Sequence, residues 1–177
     1  AGAGGGWGGP AGGLAWFDRR RRRAGRRGRG EETIRGVGGQ GSALLAYGRP
    51  GEGLVLVRGG HQLALTKGLA DIELSGRVLL TFFEQWDDPG RGMAMAKEGL
   101  EIGRRTASRV YGFFMVGNGT ICAMRVGEWD WAGELLDEWL AIDSTATQRA
   151  EFYIDRAILK SMRGDDSRGG IAEAARR

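Results

Sequence analysis

A chain of 177 residues is long enough for one ordinary domain or a short array of repeats. A single Cys122 and a single His61 exclude an internal disulfide and a zinc site built from Cys and His alone. No apolar run approaches the roughly 18 residues of a membrane span, so a reduced, soluble, cytoplasmic protein without a cofactor is expected. The net charge of +4 is unevenly placed: residues 19–29, RRRRRAGRRGR, hold eight arginines and no acid, leaving 18 basic residues against 22 acidic elsewhere.

The first 30 residues form a Gly/Arg-rich segment, expected to be partly helical or disordered, with a helix over 10–24. Its start, AGAGGGWGGP, has neither the charged nor the apolar region of a signal peptide and no initiating Met, which suggests a piece of a larger protein. Arg19, Arg20, Arg21, Arg22, Arg23, Arg26, Arg27 and Arg29 are candidate anion ligands, because clustered guanidinium groups displace counterions from phosphates. A solvated, overcharged helix end is the simpler reading.

Next comes IRGVGGQGS, which holds a literal G-x-G-x-x-G at Gly36, Gly38 and Gly41. Those glycines cradle a pyrophosphate only when a buried strand enters them and a helix leaves them. The upstream GRRGRGEET is no strand, and Gly41 is followed by Ser42 and Ala43 rather than a Lys-Ser/Thr pair, so nucleotide binding is set aside.

An internal repeat organises the chain. The segments GGPAGGLAWF from Gly8, GRPGEGLVLV from Gly48, DDPGRGMAMA from Asp87, GEWDWAGELL from Gly127 and GDDSRGGIAE from Gly164 start 40, 39, 40 and 37 residues apart. Each opens on Gly or Asp, carries Pro, Trp or Asp two places later, and has a small residue at the sixth place: Gly13, Gly53, Gly92, Ala132 and Gly169. This is a turn followed by a helix start, since proline suits the first helical turn and Asp or Ser can cap it. The small residues, repeated seven later at Gly60 and Gly99, let a neighbouring helix approach closely.

Apolar residues at helical spacing (Leu135, Leu136, Trp139, Ile142; Leu74, Val78, Phe82) complete two helices per period. Helices are therefore predicted over 31–47, 50–66, 71–86, 89–105, 108–125, 129–142, 146–163 and 166–176, with no strand. The glycines of the 31–47 helix are expected to fray it. The six tryptophans and Cys122 are read as core, His61 as surface or half-buried, and the paired acids as caps and solvated charge.

The pattern Gly-x-Trp-x-x-Ala in GEWDWA, followed by LLDEWLAI, resembles the second helix of a tetratricopeptide repeat (TPR). Together with DDPGRGMAMAKEGLEIGRR it looks most like the helical arrays of large bacterial regulators that follow an ATPase or cyclase module. The resemblance covers about residues 40–177. It implies an all-α, right-handed solenoid of about four antiparallel helical hairpins over residues 31–177, with longer loops than the standard 34-residue repeat. It also implies a non-catalytic protein–protein interaction scaffold, part of a larger regulator, that takes a peptide or domain in a concave groove. By position that groove would be lined by Arg77, Glu84, Asn118 and Arg125. The rival expectation is binding of nucleic acid or an acidic partner through residues 19–29.

Overall fold

The computed structural model describes residues 29–142 and 145–165, and among them every regular element is an α-helix. The helices are α1 (Arg29–Ala46), α2 (Pro50–Thr66), α3 (Ala70–Asp87), α4 (Pro89–Arg105), α5 (Arg109–Val126), α6 (Trp129–Leu140) and α7 (Ala146–Arg163). Three coincide with their predicted bounds and the other four lie within two residues of them. The helices expected over 10–24 and 166–176 lie outside the described residues. So do Gly13, Gly169, Trp7 and Trp16.

The repeat's opening glycine is a helix stop. Gly48, Gly68, Gly127 and Gly164 sit just past a helix end at positive φ, as does Ala107 at φ 51°. At all five the next N–H reaches back five residues to a carbonyl at 2.9 Å: Arg49 to Leu44, Leu69 to Ala64, Ser108 to Gly103, Glu128 to Ala123 and Asp165 to Lys160. This closure reverses the chain in two or three residues. The longer loops expected of a 40-residue period are therefore not formed between these helices; the extra length lies in first and second helices of mostly 17 or 18 residues. Pro50 and Pro89 open α2 and α4, and Asp88 caps α4 by accepting the Arg91 N–H at 3.0 Å.

The fold comprises two compact units, Ala1–Leu79 and Leu80–Arg177, and the division falls inside α3. The expected boundary at residue 30 has no counterpart in this division.

In the first unit α1 and α2 pair antiparallel through glycine. A methyl group on Gly41 would lie 2.8 Å from the Gly53 carbonyl oxygen and 2.9 Å from the Val57 nitrogen, and one on Gly60 3.3 Å from the Gly38 nitrogen. The G-x-G-x-x-G match is thus part of a continuous helix, and Gly41 is where two backbones meet. Ile34, Ala64 and Ile72 form a small buried cluster with Leu69 against it. His61 is half-buried, its Nδ1 3.2 Å from the Glu73 carbonyl oxygen.

In the second unit the same devices hold larger side chains. α4 pairs antiparallel with α5, where Gly92 faces the Cys122 Sγ and Gly119 faces the Ala96 Cβ. α5 in turn pairs antiparallel with α6. Gly112 there abuts the Trp139 indole, Gly119 lies under Trp131, and Trp129 Nε1 donates to the Met124 carbonyl at 3.0 Å. α7 runs antiparallel to α6, joined by Arg163–Asp130 at 2.6 Å and Arg156–Asp137 at 3.0 Å. Tyr111, Met115, Val116, Leu135, Leu136 and Phe152 are fully or almost fully buried, with Phe152 against Phe113 and edge-on to Trp139.

Helices two apart in the chain also touch within this unit. Thr81 Oγ1 meets the Met115 Sδ at 4.0 Å and Gln85 Nε2 donates to Asn118 Oδ1 at 3.1 Å, so the end of α3 lies parallel to α5. Arg104 on α4 forks onto both carboxylate oxygens of Glu138 on α6 at 3.0 Å, and α7 packs on α5 as well as on α6.

Candidate interaction surface

Of the four residues expected to line a groove, two are buried. Arg77 is 5% exposed and its guanidinium donates to Glu73 at 3.1 Å, one turn away on α3. Glu84 is 4% exposed and faces Arg91 at 3.5 Å. Neither head group is offered to a ligand at the surface, a correction whose cause is that each charge is neutralised within the fold as its helix packs. Asn118 is half-buried and occupied by Gln85. Arg125 is exposed, lying flat on the Trp86 ring with its Cζ 4.3 Å from the centroid. Arg29 begins α1, and the other seven arginines of the run lie outside the described residues.

Trp86 itself was expected in the core and is 65% exposed. It belongs to a row. Counted from Ala70, Arg109 and Ala146, the thirteenth and seventeenth residues of α3, α5 and α7 are Phe82 and Trp86, Ile121 and Arg125, Ile158 and Met162. Phe82, Trp86, Ile158 and Met162 are all exposed large apolar side chains, and Ile121 is half-buried. Because α3, α5 and α7 lie side by side, these six residues form one band across three helices of the second unit. A repeat alignment of the helix starts would have found the row, but not that it stays open.

Two groups in this unit titrate abnormally. Burial pushes the Cys122 thiol up to about 11, so it stays protonated and unreactive at neutral pH. Burial and the nearby Glu151 carboxylate raise Asp155 to about 7, and burial raises Glu151. Among the described residues no three His, Cys, Asp or Glu side chains converge on a metal-sized site, and no helix is long and apolar enough to cross a membrane.

Comparison with family models, with curated proteins and with solved structures finds no match.

Proposed function

We propose that the chain is a non-catalytic protein-interaction scaffold, its helices successive hairpins of a TPR-like, right-handed array, and that the band on α3, α5 and α7 is where a partner docks. The observation that carries this is the stacking of like on like: first helix beside first helix at Thr81–Met115 and Gln85–Asn118, second beside second at Arg104–Glu138. Each hairpin of such an array buries one face on its neighbour and leaves another free. Here the free face carries Trp, Phe, Met and Arg, the side chains enriched at protein interfaces.

The test is capture of protein partners by the immobilised full chain, compared with a Trp86→Ser/Arg125→Ser variant. Arg77 is unsuitable for that role because it is buried. With the helical circular dichroism and melting unchanged, the variant is expected to lose the captured protein; equal capture by both forms would refute the band as the docking face.

A further inference from the structure

The row has a geometry that selects among partners, and we infer that it takes an amphipathic α-helix lying across α3, α5 and α7 with a carboxylate over Arg125. This rests on the scaffold reading above and adds the shape and charge of the partner segment.

Shape comes from spacing. Helices in side-by-side contact have axes about 8–10 Å apart, so Trp86, Arg125 and Met162 mark three stations at about that interval. On a crossing α-helix, residues seven apart lie on one face and about 10.5 Å apart. Residues i, i+7 and i+14 therefore fall over the three stations in turn. An extended strand repeats on one face every two residues, about 6.6 Å, and every four, about 13 Å, so it matches one station and misses the next.

Charge comes from Arg125. In the second unit Arg91, Arg104, Arg156 and Arg163 each hold a carboxylate. Arg125 forms no ion pair among the described residues and instead lies on the exposed Trp86 ring. Stacking fixes the plane of the guanidinium while leaving its edge N–H groups to point along the surface, the arrangement that receives a carboxylate in two parallel hydrogen bonds. The outer stations differ: Phe82 with Trp86 on one side and Ile158 with Met162 on the other present apolar surface. The segment that fits has large apolar side chains at i and i+14 and Glu or Asp at i+7.

Synthetic, fluorescein-labelled helical peptides of about 21 residues (six turns), with Leu at i and i+14 and Glu, Gln or Lys at i+7, test this by anisotropy against the full chain. The Glu peptide is expected to bind at least about ten-fold more tightly than the Lys peptide. Arg125→Glu is expected to reverse that order, and Trp86→Ala to weaken both peptides while the circular dichroism is unchanged. Equal affinities for Glu and Lys, no reversal in Arg125→Glu, or binding of none of the peptides would each overturn the inference, and protein capture lost in the Trp86→Ser/Arg125→Ser variant would still sustain the scaffold. Concentration-dependent dimerisation of the chain that Trp86→Ala abolishes would assign the band to a second copy and overturn the inference also.

Discussion

The two units solve helix packing with the same residue used in opposite ways. In the first, glycine brings backbone to backbone: Gly41 meets the Gly53 carbonyl and the Val57 amide, and Gly60 meets Gly38. Little side-chain volume then remains to bury, and the cluster there is Ile34, Ala64 and Ile72. In the second, Gly92, Gly112 and Gly119 are sockets that receive Cys122, Trp139 and Trp131. A socket adds an interlocking side chain to the interface, whereas a backbone contact removes one. The second unit should therefore gain more from side-chain burial, and the first should depend more on the absence of particular β-carbons.

The sharpest way to break this contrast is to empty the second unit's core. Phe152 is 1% exposed and packs on Phe113 and Trp139, so Phe152→Ala is expected to cost about 3–5 kcal/mol in urea unfolding. A loss under about 1 kcal/mol would mean that aromatic burial does not hold this unit together.

Filling a glycine comes next. Gly41→Ala is expected to destabilise by about 2–3 kcal/mol, because two of the three atoms in the way are backbone and cannot rotate aside. Gly92→Ala meets the Cys122 Sγ first, so its cost should shrink markedly in a Cys122→Ala background. The double-mutant cycle is the measurement; additive losses at Gly92 and Cys122 would erase the distinction between socket and backbone contact.

A smaller effect concerns protons. The folded Asp155 carboxyl titrates near 7 against an ordinary 3.8, so between those values the native chain keeps a proton that the unfolded chain releases. Stability should thus fall as pH rises through that window and level off above it. Asp155→Asn should remove the slope, adding about 1–2 kcal/mol near pH 8 once partial solvent exposure is allowed for, and almost nothing below about pH 4. Melting curves across pH check it, and a slope that survives the substitution would place the titration elsewhere.

The smallest effects are gains. A methyl group on Gly36 or Gly39 meets nothing within 4 Å, so Gly36→Ala and Gly39→Ala should each stabilise by about 0.5–1 kcal/mol through helix propensity alone. In the second unit Ala107 occupies the left-handed position that glycine fills at the other four such helix ends, and Ala107→Gly should help by a similar amount. Loss of stability at Gly36 or Gly39 would show that these glycines, too, are needed for close approach.

Helix positions were legible because their ends are chemical: Pro50 and Pro89 can only begin a helix comfortably, and Gly48 and Gly127 can stop one. The crossing points were legible in part, since Gly53, Gly60, Gly92, Gly99 and Ala132 recur at one register and all are buried. What the sequence concealed was which face stays open. The stretch VLLTFF on α3 is apolar on nearly every side, so periodicity alone cannot say that Val78 is covered and Phe82 is not. Arg77 and Glu84 read as surface charge because their partners, Glu73 and Arg91, are evident only once the helices are placed. Glu151 and Asp155 passed as solvated acids for the same reason.

The contacts within each unit have a kinetic consequence. Helices that pack together are adjacent in the chain or next but one, as α5 is to α7, and even Gln85 and Asn118 are only 33 residues apart. Closing such short loops carries a small entropic barrier, and chains dominated by local contacts reach the native state in microseconds to milliseconds. A hairpin such as α4–α5 can form before residues far along the chain are in place, and α6 and then α7 can add to it one at a time. Growth in that direction suits a chain emerging from the ribosome, because each new helix finds its docking site already made.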